Sequence, residues 1–326
     1  MKALVTGAAG FIGSNLVDRL LKDGWVVDGV DNLSTGNLTF LSQALKYKNF
    51  TFYKLDLLSD KLNRLSHDYD YIFHLAANAD IRGGNQDTSV DLHQNIIVTH
   101  NILEFAKRVM SRKNVVFAFS STAAMLGEPS VFPTPEDVSI PKQTSLYGAS
   151  KMACEALISA YSNTFDIEAY AFRFVSILGP RYSHGHVFDF VKKLKNDPDN
   201  LKILGNGKAE KSYLHVDDCL SGVFKVAIEH RTSKNLEHKF DTFNLGLDET
   251  IFVSESAKLI SDCMRLTPNY HFEHQLRGWI GDNKFVHLST AKLRSLGWKP
   301  FYSIDESIKA TVGYLLANPE ILEMRT

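Results

Sequence analysis

The chain has 326 residues, of which 44% are hydrophobic and 22% are charged. This length corresponds to about two domains, and the composition excludes disordered, collagen-like and coiled-coil chains. The 36 Lys and Arg residues are balanced by 37 Asp and Glu residues, which leaves a net charge of −1. Because no excess of positive charge is present to attract phosphate backbones, we expect no binding to nucleic acid.

We expect neither a targeting signal nor a membrane-spanning segment in this sequence. Residues 1–7 lack a charged region followed by an apolar stretch, so we expect no signal peptide. No apolar run reaches the roughly 18–20 residues that span a bilayer. The three cysteines, Cys154, Cys219 and Cys263, are odd in number and far apart, which favours reduced thiols over a disulfide or zinc framework. We therefore predict a cytoplasmic protein that does not associate with membranes.

In the first half of the chain, short apolar segments typical of buried strands alternate with amphipathic segments typical of helices. The predicted strands are 3–5, 26–30, 51–53, 71–75 and 115–119, and the clearest predicted helices are 12–22 and 95–110. This alternation predicts a doubly wound parallel (Rossmann) α/β sheet, built with right-handed crossovers. Ligands of such folds bind beyond the carboxyl ends of the strands.

Beyond about residue 175, clusters of Gly, Pro and Asn become frequent. We predict a Rossmann domain over 1–175 and a smaller, mainly substrate-binding lobe over 176–326. The apolar segment 243–246 is typical of a strand that returns to the main sheet. Roughly 215–246 is therefore expected to belong to the first domain, so that the two domains interleave.

Three glycines, Gly7, Gly10 and Gly13, lie between the first predicted strand and the first predicted helix. Such glycines permit a tight turn, close approach of the backbone to a pyrophosphate and close packing of helix on strand. Asp31 ends the second strand 18 residues after Gly13, where a carboxylate can bind both ribose hydroxyls. No Arg or Lys lies between residues 32 and 38 to hold a 2′-phosphate, which favours NAD over NADP. Purely structural turns and methyltransferases share this kind of loop, so further features are needed to identify a dinucleotide-binding site.

Tyr147 and Lys151 supply such a feature. Among the 12 tyrosines, only Tyr147 has a lysine four residues later. Residues at this spacing share a face of a helix, and the pair follows the fifth strand and its polar cluster at 120–122. We expect the lysine ammonium and a positive nicotinamide ring to lower the pKa of Tyr147, which would make it a general acid and base.

These motifs belong to a longer set that extends over nearly the whole chain. The set comprises residues 6–13, 31–34, 56–57, 74–77, 119–122, 147–151, 173–181, 211–217 and 296–300. It resembles the extended short-chain dehydrogenases/reductases that act on nucleotide sugars, especially the UDP-glucose (UDP-galactose) 4-epimerases. The resemblance implies a Rossmann fold and NAD as the cofactor.

The resemblance also implies roles for particular residues. Asp56 and Leu57 are expected near the adenine, and residues 75–77 along the path to the nicotinamide. Together with the glycine loop, the expected cofactor-binding residues are Gly7, Gly10, Phe11, Ile12, Gly13, Asp31, Asn32, Ser34, Thr35, Gly36, Asp56, Leu57, Leu75, Ala76, Ala77, Tyr147 and Lys151. The expected catalytic set is Tyr147, Lys151 and Thr122, with Ser121 as the alternative to Thr122 if the register shifts by one residue.

The segment 122–126 reduces the number of reactions within the family that the sequence fits. Family dehydratases resemble Thr-Asp-Glu here, and decarboxylating relatives carry a nearby Glu, whereas this chain has Ala123 and Ala124. Because alanine cannot transfer a proton, the resemblance favours epimerisation at C4 of a UDP-hexose through a transient 4-keto sugar. The N-acetylated sugars are further candidate substrates. An NAD(H)-dependent ketoreductase, another sugar-nucleotide epimerase and a non-catalytic dinucleotide sensor remain alternatives.

The residues expected to bind substrate are Thr122, Tyr147, Ser176, Lys211 and Arg277, the last two as cations for the diphosphate. By the resemblance, helical segments 92–110 and 147–163 form the interface of a homodimer. His184, His186 and Asp189 are too sparse a set to predict a metal site.

Overall fold

The computed structural model describes the chain except for residues 82–83, 85, 111–113, 140–141, 231–238, 276, 280 and 325–326. Part of the predicted return over 215–246, residues 231–238, therefore lies outside the described residues. Within the described ranges, no helix combines the length and the apolar character needed to cross a bilayer.

The strands have the following bounds: β1 (Lys2–Thr6), β2 (Val26–Asp31), β3 (Phe50–Lys54), β4 (Tyr71–His74), β5 (Val116–Thr122), β6 (Glu168–Phe174), β7 (Ser176–Leu178), β8 (Asn200–Ile203), β9 (Glu210–Lys211), β10 (Tyr213–His215), β11 (Phe240–Leu245), β12 (Ile251–Phe252), β13 (Asn269–Phe272) and β14 (Phe285–Val286). The α-helices are α1 (Phe11–Lys22), α2 (Ser89–Asp91), α3 (Val98–Met110), α4 (Leu146–Phe165), α5 (His186–Asn196), α6 (Val216–Phe224), α7 (Val253–Cys263), α8 (Ala291–Ser295) and α9 (Ile304–Ala317). Shorter 3₁₀ turns connect several of these elements, and π-helical turns occupy Leu92–Ile97 and Lys225–Glu229.

In the part of the chain that the structure describes, seven strands form the main sheet, in the order β11-β6-β5-β4-β1-β2-β3. Strand β1 pairs in parallel with β2 and β4, β2 pairs with β3, and β4 pairs with β5. The predicted Rossmann α/β fold is confirmed, and each of the five predicted strands lies in this sheet. Strand β5 extends to Thr122, three residues beyond its predicted end.

The inner strands of the main sheet, β1, β4, β5 and β6, are almost entirely buried. All four residues of β4 are buried, as expected for a strand that is covered by helices on both sides. Helix α1 contributes a buried face that includes Leu16, Val17 and Leu20, and α3 contributes Ile102 and Phe105. The amphipathic periodicity of these helices therefore fixes which side of each one packs on the sheet.

The chain divides into two compact units. The first comprises Met1–Met125, Ser145–Arg173 and Val223–Phe243, and the second comprises Leu126–Thr144, Phe174–Gly222 and Asn244–Thr326. The sequence predicts one boundary near residue 175 and a return over about 215–246. The segment 126–144, which belongs to the second unit, carries no sequence signal of this placement.

The second unit combines short sheets with packed helices. Its pairings are β7 with β10, β9 with β12 and β14, and β8 with β13. Helices α5, α7 and α9 pack against one another. Helix α9 begins with a capping box, in which Ser303 Oγ accepts from the Glu306 amide and Glu306 Oε2 accepts from the Ser303 amide. This arrangement satisfies two backbone donors and fixes the start of the helix.

Candidate active site

The glycine loop between β1 and α1 allows no larger residue at two of its positions. A Cβ atom at Gly13 would lie 2.0 Å from the carbonyl oxygen of Gly7. Gly7 itself has a φ of +69°, and its Cβ would lie 2.8 Å from the Ala76 amide nitrogen. The loop therefore brings the N-terminus of α1 close to β1. The partial positive charge at this helix end favours binding of a phosphate group.

Asp31 ends β2 with its carboxylate already oriented by the backbone. Its Oδ1 accepts a 2.8 Å hydrogen bond from the Leu33 amide, and its Oδ2 accepts a 3.0 Å bond from the Ala9 amide. Burial raises the pKa of Asp31, whereas these two bonds lower it. A Cβ at Gly36 would lie 2.8 Å from Asp31 Oδ1, so glycine keeps this carboxylate uncovered. Each oxygen keeps a further lone pair for a ribose hydroxyl.

A cleft opens beside Asp31, within the first unit. Eight residues predicted to bind the cofactor line it: Asp31, Asn32, Ser34, Thr35, Asp56, Leu57, Ala76 and Ala77. The wall combines an oriented carboxylate with small and apolar side chains. This chemistry fits the adenosine half of NAD, in which a ribose diol is joined to a flat apolar base.

Four residues of the cleft, namely Val30, Leu55, Gln94 and Val98, were missed by the sequence analysis. Gln94 lies in the π-helical turn Leu92–Ile97, whose wider spacing changes which side chains face the cleft. The neighbouring Asn95 is buried and anchors this turn, because its Oδ1 accepts from the Asn78 amide and its Nδ2 donates to Ser150 Oγ. Side-chain periodicity gave no signal for a π-turn.

A buried hydrogen-bond network positions the backbone of residues 75–76. Thr6 Oγ1 accepts from the amides of Leu75 and Ala76, each at 3.2 Å. With both lone pairs used, the Thr6 hydroxyl donates its proton to His74 Nδ1, 2.7 Å away. His74 is therefore the Nε2–H tautomer, which donates to Thr99 Oγ1 at 3.1 Å. Burial and the charge of Lys151 lower the pKa of His74 to about 3, so the ring is neutral.

Helix α4 brings Tyr147 and Lys151 to the C-terminal end of β5. Ser145 caps the helix by accepting a 3.0 Å hydrogen bond from the Gly148 amide. Lys151 is buried, and its Nζ donates to the carbonyl oxygen of Ser120 at 2.8 Å. Tyr147 is half-buried, and its phenol forms a hydrogen bond with the Thr122 hydroxyl. The three residues of the predicted catalytic set are thus assembled in one unit.

Burial shifts the pKa values of the predicted pair in opposite directions. It lowers the pKa of Lys151 to about 8, and it raises the pKa of Tyr147 to about 12 in spite of the hydrogen bond from Thr122. In the chain by itself, the pKa of Tyr147 is therefore raised. The expected lowering by Lys151 together with a positive nicotinamide ring stays a prediction. Desolvation of the phenol is the largest influence on the pKa of Tyr147 and outweighs the hydrogen bond from Thr122. The ammonium of Lys151 donates to the backbone carbonyl of Ser120.

The structure also distinguishes Thr122 from Ser121. Successive side chains of a strand point to opposite faces of the sheet. Ser121 is buried and donates a hydrogen bond to Glu155 Oε1, whereas Thr122 is half-buried and contacts Tyr147. Thr122 is therefore the hydroxyl beside the phenol.

In the second unit, both predicted diphosphate-binding cations form ion pairs. Lys211 Nζ lies 2.5 Å from Asp282 Oδ1 and 5.2 Å from the centre of the Trp279 ring. Arg277 Nη2 pairs with Glu128 Oε1. Neither carboxylate could be recognised as a partner from the sequence, because Asp282 lies 71 residues from Lys211 and Glu128 lies 149 residues from Arg277. Ile280, which follows Trp279 in the chain, lies outside the described residues.

The other predicted residues of this unit lie in different surroundings. Ser176 is exposed at the start of β7, where it pairs in register with Tyr213. His186 Nε2 lies 2.7 Å from Ser256 Oγ, and burial lowers the pKa of His186 to about 3. Among the described residues, no cluster of three or more His, Cys, Asp or Glu side chains has metal-binding geometry.

Residues 3–246 match the model of the NAD dependent epimerase/dehydratase family. The chain belongs to this family. It is 31% identical to the UDP-glucose 4-epimerase of Mycolicibacterium smegmatis over 96% of this chain and 98% of that protein.

Two solved structures of UDP-sugar 4-epimerases are similar to this chain along nearly its whole length. One is a UDP-galactose 4-epimerase, with 31% identity, a TM-score of 0.84, and coverage of 98% of this chain and 99% of that one. The other is the UDP-glucuronic acid 4-epimerase of Bacillus cereus in complex with UDP-glucuronic acid and NAD. Its identity is 26% and its TM-score is 0.86, with coverage of 98% of this chain and 100% of that one.

Proposed function

We propose that this chain is an NAD-dependent 4-epimerase of UDP-hexoses that acts through a transient 4-keto sugar. UDP-glucose and UDP-galactose are the proposed substrates, and their N-acetyl forms are further candidates. The observation that carries the proposal is the assembly of Tyr147, Lys151 and Thr122 at the end of β5. This assembly belongs to the same compact unit as a cleft that fits NAD.

The chain's own residues suffice to hold the cofactor. Asp31 offers its carboxylate to a ribose, the loop of Gly7 and Gly13 brings the start of α1 to the pyrophosphate, and the ordered backbone at 75–76 borders the cleft. When bound, NAD supplies the electron-pair acceptor for oxidation of the sugar C4 and the donor for its reduction.

Tyr147 moves the proton of the sugar 4-hydroxyl. With a pKa of about 12, its phenol is protonated at neutral pH, so a positive charge nearby is needed to favour the phenolate. Tyr147 Oη then takes the proton, directly or through Thr122 Oγ1, and returns it to the 4-oxygen of the product. Lys151, with a pKa of about 8, is mostly protonated at pH 7 and supplies part of the positive charge.

The residues after β5 support epimerisation rather than elimination of water. The 3₁₀ turn Ala123–Leu126 follows Thr122 directly and contains no side chain that transfers protons. Elimination needs an additional acid and base, and Tyr147 alone cannot take both roles at once.

Binding of the substrate diphosphate is proposed for Lys211 and Arg277. Each has a carboxylate partner, Asp282 or Glu128, so an arriving diphosphate competes with that carboxylate for the cation. The Arg277–Glu128 pair is partly exposed, whereas the carboxylate of Asp282 is buried. Arg277 is therefore the cation that can change partners more readily. Ser176, exposed in β7, is proposed as a further substrate contact.

We further propose a cytoplasmic homodimer. The helical segments 92–110 and 147–163 are the proposed interface, and apolar side chains are exposed within or beside them at Leu92, Ile97 and Leu146. Association that removes these side chains from water would be favourable. Light scattering after gel filtration tests the dimer directly.

Proton NMR of the purified protein tests the function, with UDP-galactose, UDP-N-acetylgalactosamine and UDP-glucuronic acid supplied separately and with no added cofactor. Appearance of the C4 epimer supports the proposal, and the preferred sugar identifies the substrate. Tyr147→Phe is the matched control, since it removes one hydroxyl. Failure to convert any of these sugars after addition of NAD would contradict UDP-sugar 4-epimerisation, and consumption of NADH with a 4-keto sugar would indicate a reductase.

A further inference from the structure

Three consecutive residues at the end of β5 each contact a different residue on one face of α4. The Thr122 side chain contacts Tyr147, the Ser120 carbonyl contacts Lys151, and the Ser121 side chain contacts Glu155. The helix residues are four positions apart and therefore lie on one face. We call these three contacts the β5–α4 ladder. Two of the three contacts involve the proposed catalytic pair, Tyr147 and Lys151. The third, between Ser121 and Glu155, is not explained by the proposed reaction.

Glu155 is held in place by Arg173, at the end of β6. Arg173 Nη2 lies 2.8 Å from Glu155 Oε2, and its Nε lies 3.1 Å from Oε1. Both side chains are more than 90% buried. The planar guanidinium thus binds both carboxylate oxygens, while Oε1 also accepts from Ser121. Glu155 cannot rotate without breaking several hydrogen bonds.

Stability alone does not account for this buried ion pair. Removing two charges from water offsets most of their attraction, and apolar residues of similar volume are often as stable. What the ion pair fixes is geometry. It joins α4 to β6. Through the hydrogen bond between Glu155 and Ser121, it also joins α4 to β5, directly before Thr122.

Glu155 also acts on Lys151 electrostatically. Burial is the main influence on Lys151 and lowers its pKa, while Cys154, Asp91 and Glu155 each raise it. The charge of Glu155 therefore favours the protonated ammonium, which donates a stronger, charge-assisted hydrogen bond to the Ser120 carbonyl. Geometry and charge act in the same direction.

We propose that Glu155, clamped by Arg173, is a positioning residue that sets the placement of Thr122 Oγ1 relative to Tyr147 Oη through Ser121. This inference rests on the proposed epimerase function. Misplacement of a catalytic group by about 1 Å can slow a reaction by about a hundredfold. Loosening the β5–α4 ladder should therefore reduce kcat and leave KM almost unchanged.

Three variants separate positioning from stability. Ser121→Ala breaks only the Glu155 contact of the ladder and keeps the ion pair. The double variant Glu155→Met with Arg173→Met replaces the ion pair by apolar side chains of similar volume. Ser162→Ala is the matched control, because Ser162 is also buried on α4 and donates to the Ile167 carbonyl outside the ladder.

The readouts are kcat and KM for UDP-galactose, bound NAD, the thermal midpoint and the ¹³Cζ NMR signal of Tyr147, assigned with Tyr147→Phe. For Ser121→Ala and the double variant we expect kcat to fall by about tenfold or more. We also expect a shifted Tyr147 signal, near-normal KM and normal NAD content. Ser162→Ala should change only the thermal midpoint.

The outcomes that overturn the proposal are distinct. Wild-type kcat and an unshifted Tyr147 signal in Ser121→Ala would overturn the positioning role while leaving the epimerase function intact. A folded double variant with normal kcat would show that the ion pair does not position the catalytic residues, whether its stability is normal or reduced. An inactive wild-type protein would overturn the proposed function, and with it the reaction that Glu155 is proposed to serve.

Discussion

Lys151 Nζ donates a 2.8 Å hydrogen bond to the carbonyl oxygen of Ser120, and this bond joins the catalytic face of α4 to the end of β5. The ammonium also lies 4.6 Å from the centre of the Phe119 ring, a cation–π contact on the same strand. Lys151 is therefore oriented by β5 and not by the phenol of Tyr147. The cation is preorganised before substrate arrives, as expected for a group that stabilises a developing charge.

Replacement of Tyr147 by Phe tests the assigned acid and base. The variant keeps the ring and loses only the hydroxyl, so turnover should fall by about 10²–10⁴-fold, the usual contribution of a general acid or base. Bound NAD should remain near the wild-type amount, because the cofactor cleft is lined by other residues. Rates by NMR and cofactor content by chromatography check the two expectations. Loss of NAD from a folded variant would instead indicate a binding role.

Lys151→Met should change stability with a defined dependence on pH. The pKa of Lys151 is lowered from 10.5 to about 8 by burial, so the buried charge penalises the folded wild type fully below pH 8. Between pH 8 and 10.5, folded Lys151 loses its proton while the unfolded residue keeps it. Wild-type stability should therefore rise relative to the variant by about 1–3 kcal/mol. Urea unfolding from pH 7 to 10 measures the difference, and a constant difference would contradict the lowered pKa.

Glu128→Gln should strengthen substrate binding. Without its carboxylate partner, Arg277 is available to the diphosphate. KM for the UDP-sugar should therefore fall by about two- to fivefold, which corresponds to the free energy of a partly exposed ion pair. Asp262→Asn, which removes an exposed carboxylate paired with Lys258 in α7, is the control for the change in net charge. An equal fall of KM in both variants would assign the effect to overall charge.

Gly13→Ala and Gly313→Ala should have opposite effects. At Gly13 the added methyl meets a backbone carbonyl oxygen, so the loop must move and NAD binding should be lost, with destabilisation of at least about 1–3 kcal/mol. At Gly313, inside α9, the methyl meets nothing within 4 Å and should stabilise the helix by about 0.5–1 kcal/mol. Thermal unfolding and bound NAD measure both. Retention of NAD by folded Gly13→Ala would show that the tight turn is not required.

The features that could be predicted from the sequence are those encoded locally. Apolar runs locate the first five strands of the main sheet but not β6, and the spacing of glycines before α1 together with Asp31 indicates a dinucleotide cleft. The spacing of Tyr147 and Lys151 places both on one face of α4.

The features that escaped prediction depend on burial or on distant partners. The sign of the Tyr147 pKa shift follows from desolvation, which a spacing argument does not include. Glu128 and Asp282 are recognised as partners only when distant segments of the chain are brought together. The π-turn that places Gln94 in the cleft wall interrupts helical periodicity without a Gly or Pro to mark it.

Retention of a deuterium label at C4 of the sugar tests most directly whether the protein epimerises UDP-hexoses through oxidation and reduction at C4. UDP-galactose deuterated at C4 is incubated in ordinary water with the purified protein and no added cofactor, and the product is analysed by NMR and mass spectrometry. If C4 is oxidised and then reduced with the same retained cofactor, the UDP-glucose that forms should keep the deuterium at C4. Tyr147→Phe should give no such product. Loss of the label to water, or product formation only with stoichiometric added NADH, would contradict the account.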